Sequence, residues 1–81
     1  MLSERDRLVL EFESAWWHYP QPKDLAIRDY LDMSANRYYQ ILRRVVDDPE
    51  AAALQPLTIY RLRRDRATAR RQALDRRRSD A

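Results

Sequence analysis

Along the chain, apolar positions recur at helical rather than alternating spacing. In the centre Tyr38, Ile41, Leu42 and Val45 fall at i, i+3, i+4 and i+7, which gathers them on one stripe of an α-helix. Ser34 stands just before them, and its hydroxyl can accept from an otherwise unpartnered amide of residue 36 or 37. A helix is therefore predicted from Ala35. Upstream, Ser3 with Asp6 forms an N-terminal capping pattern, and Leu8, Phe12, Ala15 and Trp16 make an apolar stripe, so a first helix is expected from Glu4 to Trp17. Pro20 and Pro22 end it. Pro22 is read as the first position of a second helix that runs through Leu25, Ala26 and Ile27 to Leu31. Asp48 and Pro49 repeat this start signal for a short helix over Glu50 to Leu54, and Pro56 opens a last segment. From Leu57 to Arg78 nothing interrupts a helix, but only Leu57, Ile59, Tyr60 and Leu62 offer much to a core. Past about Arg64 the helix is expected to project, fray or order on a partner.

The second and third helical patterns meet across a few residues at Asp32, Met33 and Ser34, the layout of a helix-turn-helix. On the face opposite the apolar stripe of the third pattern stand Asn36, Gln40 and Arg43, flanked by Arg37 and Arg44 on one side and Tyr39 on the other. Asn and Gln can pair with the adenine edge through two hydrogen bonds, and Arg can do so with guanine or clamp a phosphate. Asn36, Arg37, Gln40 and Arg43 are the candidate base readers, with Ser34 and Tyr39 at their margins. Lys23, Arg28 and Arg44 are candidate phosphate contacts, which position a protein without reading sequence. A solvated polar face on an ordinary core helix is the plainer explanation of the same pattern, and the turn and its cap weigh against it.

Met33 and Ser34 followed by Arg37, Gln40, Ile41 and Leu42 resemble the helix-turn-helix in the fourth conserved region of bacterial sigma factors, and the stretch from Leu2 to Leu10 is similar to the first helix of that region. Over roughly residues 2 to 78 the chain looks still closer to a family of small actinobacterial proteins that share a Met-Ser-Ala-x-Arg-Tyr-Tyr-Gln core and an Arg-rich end. That second resemblance implies no particular process. Two positions depart from the sigma pattern: Arg28 replaces a small residue four places before the turn, and Asp32 replaces the turn glycine. Aspartate tolerates the left-handed conformation better than most residues, so the turn is expected to survive. The bulk of Arg28 implies a different crossing of the two helices.

Composition narrows the alternatives. Eighty-one residues make one small domain. The chain contains no glycine, so it has neither a P-loop nor a dinucleotide-binding fingerprint, and it lacks the residue on which most sheet turns rely. An all-α fold is predicted: a small helical bundle with a central helix-turn-helix and a long basic C-terminal helix. No cysteine and a single histidine, His18, argue against a disulfide framework, a metal site or a bound cofactor. No nucleophile, base and orienting group can be assembled, and Asp47 and Asp48 before Pro49 read as helix termination and capping, so no catalytic residue is assigned and an enzyme is not expected. No apolar run is long enough to span a membrane, and the charged start is unlike a signal peptide, which places the protein in the cytoplasm, at the nucleoid if it binds DNA.

Charge is unevenly distributed. Residues 1–56 carry seven basic and ten acidic groups, whereas residues 57–81 carry nine and three. Fifteen of the sixteen basic residues are arginine, as a GC-rich genome would also produce, but codon bias does not account for their clustering. Arg61, Arg63, Arg64, Arg66, Arg70 and Arg71 are read as contacts to a nucleic-acid backbone. The division expected is a helix-turn-helix domain over 1–62 and an Arg-rich helix or tail over 63–81. The expected function is binding to double-stranded DNA, as a transcriptional regulator or a nucleoid-associated protein. Three alternatives stay open: docking on RNA polymerase or an associated factor, binding of RNA or the ribosome by the tail, and action as a homodimer. Of Trp16 and Trp17, adjacent and so about 100° apart on a helix, one is expected in the core; the other, with His18 and Tyr19, is read either as a partly exposed anchor for a partner or a second copy of the chain or, for Trp17, as lying under the Pro20 to Pro22 loop or the last helix.

Overall fold

The computed structural model describes residues 1–79, which fold into five α-helices and one short 3-10 turn with no strand among them. Helix α1 spans Glu4–Glu13, α2 Lys23–Leu31, α3 Ala35–Val45, α4 Pro49–Leu54 and α5 Pro56–Ser79, and the 3-10 turn is Trp16–His18. The capping signals in the sequence act as predicted. Ser3 accepts from the Asp6 amide while Asp6 accepts from the Ser3 amide, a full capping box. Ser34 caps α3 by accepting from the Arg37 amide at 3.1 Å, and Asp48 caps α4 by accepting from Glu50 at 2.8 Å. Pro22 sits one place outside α2, at its N-cap, rather than in its first turn.

α1 stops earlier than the expected end at Trp17. The Ser14 hydroxyl donates back to the Glu11 carbonyl at 2.6 Å, and Ala15 leaves helical geometry at φ −148°. Such local side-chain bonds compete with the helical ladder. The buried face of α1 also differs from the predicted stripe. Phe12 is buried as expected, but Leu8 is 48% exposed, and the inward positions are Leu2, Asp6, Val9, Leu10 and Glu13. Two carboxylates thus occupy core-facing positions, which an apolar-periodicity reading assigns to the outside.

The core is closed by α3, whose Tyr38, Ile41, Leu42 and Val45 are all buried against α1 and α2, together with Ala26, Ile27, Ala51 and Ile59. Phe12 anchors an aromatic cluster, stacked on Tyr19 at 5.2 Å and edge-on to Tyr38 at 5.7 Å between ring centroids. Trp16 packs against this core and Trp17 is exposed, the division expected for the pair. In α5 only Ile59 of the four expected apolar residues is fully buried, with Thr58 beside it. Leu62 is partly buried, while Leu57 and Tyr60 are 83% and 67% exposed.

Glu13 ties these elements together. It is 1% exposed, and its two carboxylate oxygens accept from three helices: Lys23 Nζ of α2 at 2.8 Å, the Tyr38 hydroxyl of α3 at 2.6 Å and Arg61 of α5 at 2.9 Å. Burial, and then the bond donated to Glu13, push the Tyr38 phenol far above its ordinary value, so it remains a donor throughout the working pH range. Lys23 lies over the Trp16, Tyr39 and Tyr38 rings at 5.1, 5.3 and 5.6 Å, adding cation–π attraction in a partly desolvated setting. Removing one partner from such a cluster strands the others, at a cost of about 3–5 kcal/mol for a buried pair. Glu13→Gln should therefore lower unfolding free energy in urea by about 3 kcal/mol, because Lys23 and Arg61 lose their only countercharge. A loss within experimental error would show that the cluster is not what couples the helices.

Candidate nucleic-acid interface

α2 and α3 are joined by Asp32, Met33 and Ser34, and Asp32 is the one residue with positive φ among those described, at φ 52° and ψ 45°. Its side chain is short and polar, so it takes this left-handed conformation at smaller cost than a branched residue. Arg28 is exposed and, with Asp24 and Leu25, borders an open cleft against Ser34 and Ala35 at the start of α3. Helix α3 then presents Asn36, Arg37, Gln40, Arg43 and Arg44 to solvent, while its opposite stripe is locked into the core. Asn36, Arg37, Gln40 and Arg43 make no side-chain hydrogen bond or ion pair among the described residues, nor does Arg28. Their donors and acceptors are therefore free for a ligand. Tyr39 is half-buried with its ring edge-on to Tyr38 at 5.1 Å, and Ser34 is spent on its cap.

Several predicted backbone contacts are engaged within the protein. Lys23 is withdrawn into the Glu13 cluster, and Arg61 makes a second approach there, to the Glu13 carbonyl oxygen at 3.4 Å. Their reading as phosphate contacts is replaced by one of core assembly. Arg44 pairs with Asp6, linking the outer edge of α3 to the start of α1. Arg63 Nε donates to the Val46 carbonyl at 2.9 Å, satisfying an orphan acceptor at the end of α3. Arg66 grips Asp47 through two hydrogen bonds of 3.0 and 3.1 Å, and Arg64 touches Asp65 at 3.5 Å. The Arg66 bond holds the Asp47 carboxyl below its usual range, with reinforcement from Arg66, Arg63 and Arg70 charges, and raises Arg66 in return. Arg70 and Arg71 remain exposed, with no ion pair among the described residues.

Two functions in this set are poorly visible in sequence. Asp47 reads as helix termination, yet with Arg63 it fixes where α5 leaves the body. Asp6 reads only as a capping residue and Glu13 draws no assignment, yet they hold α1 to α3 and to its neighbours. Their seven-residue separation on α1, in line with Leu2 and Val9, is the signal that could have revealed them. Because Arg63 and Arg66 are rooted on the end of α3 and α5 passes unbroken through residue 62, the body of the protein extends at least to Arg66.

Between α3 and α5 lies an apolar groove of about 200 Å³, lined by Tyr39, Leu42, Val46 and Leu62, with Arg43 and Arg66 at its rim. Among the described residues, no helix is long and apolar enough to cross a membrane, and no group of His, Asp or Glu side chains is arranged to hold a metal ion. A family described as "Protein of unknown function (DUF3263)" matches residues 1–77 of the chain. Neither the curated proteins nor the solved structures contain a match.

The Asp6 site has a pH signature. Burial acts to raise its carboxyl, but the Ser3 amide and hydroxyl and then Arg44 outweigh that and hold it below the usual value. A depressed native value stabilises the fold above the unfolded-state value of about 3.9. That contribution is lost as pH falls through the native value. Asp6→Asn should lower the melting temperature at pH 6 and flatten its decline below about pH 4. Parallel melting curves for the variant and the parent across that range would remove Asp6 from the acid response.

Proposed function

For a chain that belongs to the family described as DUF3263, we propose double-stranded DNA binding, with α3 as the reading helix and α5 as a backbone-following arm. One observation carries this reading: four polar side chains, Asn36, Arg37, Gln40 and Arg43, stand free along one face of a helix whose other face is rigidly anchored. A helix held this way presents base-reading groups without first having to order itself. The arm supports the same reading. Arg63 and Arg66 fix its root, and Arg70, Arg71, Arg76, Arg77 and Arg78 lie exposed beyond it. Arg28, free on α2, adds a phosphate contact on the other side of the turn. A regulator would depend chiefly on α3 for site selection; a nucleoid-associated protein would depend chiefly on α5. RNA polymerase is a further partner consistent with the resemblance of the helix-turn-helix to the sigma region.

Selection from a randomised duplex pool near physiological salt, with the full chain, tests this reading. An enriched motif is expected. Gln40→Ala or Arg37→Ala should then cost about 1–3 kcal/mol on that motif and relax preference at one position. Replacing Arg70, Arg76 and Arg77 by Gln should weaken all sequences alike and reduce the salt slope by about 0.9 per lost phosphate contact. Absence of duplex binding at low salt would overturn the proposal.

A further inference from the structure

Away from the reading face, α1 and α2 enclose an open cleft of about 360 Å³. Phe12 forms its floor, Leu8, Glu11 and Ala15 form one wall, and Tyr30 and Leu31 form the other. The rim is apolar and uncovered, since Leu8 is 48% and Tyr30 55% exposed. It is also acidic: Glu4 and Glu11 lie one turn either side of Leu8 on the same face, and neither has a partner among the described residues. On α1 the wall therefore reads Glu4, Leu8, Glu11, with intervals of four and three residues, and Ala15 borders the cleft beyond the end of the helix.

The distal half of α5 carries the complement. Leu74 is 54% exposed, Arg71 and Arg78 lie on its face, and Ala67 continues the line. Read backwards, Arg78, Leu74 and Arg71 have the same intervals of four and three. Laid antiparallel, the two helices would set Arg78 on Glu4, Leu74 on Leu8 and Arg71 on Glu11. A chain cannot make this contact with itself, because α5 is one unbroken helix of 24 residues rooted on α3 by Arg63 and Arg66.

We propose that the distal face of α5 docks in the α1–α2 cleft of a second copy of this chain, each arm seated on the other body to give a closed two-fold dimer. Reciprocal exchange satisfies both clefts at once and leaves no free end for further growth. The contact uses Arg71 and Arg78, while Arg70 and Arg77 lie on neighbouring faces of the helix. It does not rest on the DNA reading, and no nucleic acid is needed to observe it.

Sedimentation of the full chain at low salt, over micromolar to hundred-micromolar concentration, should show a monomer–dimer equilibrium that weakens as salt is added. Leu74→Glu should abolish the dimer. Because Leu74 lies outside the core, circular dichroism should show an unaltered helical body. Glu11→Arg and Arg71→Glu should each raise the dimer Kd by about tenfold, and the two in one chain should restore it. A monomer at every concentration, a dimer indifferent to Leu74→Glu, or failure of the double reversal to recover association would each overturn the proposal.

Discussion

A single carboxylate, Glu13, sets the relation among four helices. Its surroundings are apolar enough that the charge would be costly alone, so it is stable only with Lys23, Tyr38 and Arg61 in place together. That requirement is geometric as well as energetic. An apolar core of this size tolerates small rotations of one helix against another, whereas hydrogen bonds of 2.6 to 2.9 Å from three directions do not. α3 is held on its buried side by Tyr38 and at its outer edge by Arg44 on Asp6, so both margins of this helix are fixed to α1.

α5 is a different kind of element. Its first turns belong to the body, through Ile59, Arg61 and Leu62, and its later turns, from Ala67 to Arg78, are exposed along their length. The radius of gyration, 14.5 Å, exceeds the roughly 12 Å of a compact chain of this length, and the projecting helix accounts for the difference. Asp47 and Val46, at the end of α3, receive Arg66 and Arg63, so the direction of the arm is referred to α3 itself.

Where the sequence uses local chemistry, it predicts the structure well. The caps at Ser3, Ser34 and Asp48, the left-handed Asp32 and the buried stripe of α3 all follow from rules that involve a few neighbouring residues. Where the outcome depends on partners far along the chain, prediction fails. Leu8 looks like a core residue until Asp6 and Glu13 take the inward face, and they can do so only because Arg44, Lys23 and Arg61 arrive from elsewhere. The same long-range pairing removes Lys23 and Arg61 from the expected interface. That Asn36, Arg37, Gln40 and Arg43 stay without a partner among the described residues is a fact that only the assembled fold displays.

The chain contains no glycine, and its one left-handed residue among those described is Asp32. Every peptide unit outside that turn therefore follows a conformation open to ordinary residues, and the unfolded chain lacks the extra freedom that glycine confers. A protein with so small a core gains from this on the disordered side of the equilibrium, where no contact in the folded state records it. The unfavourable backbone energy that remains is concentrated at the corner between α2 and α3. Evolutionary drift in stability and drift in the pitch of α3 against α2 would thus pass through the same residue.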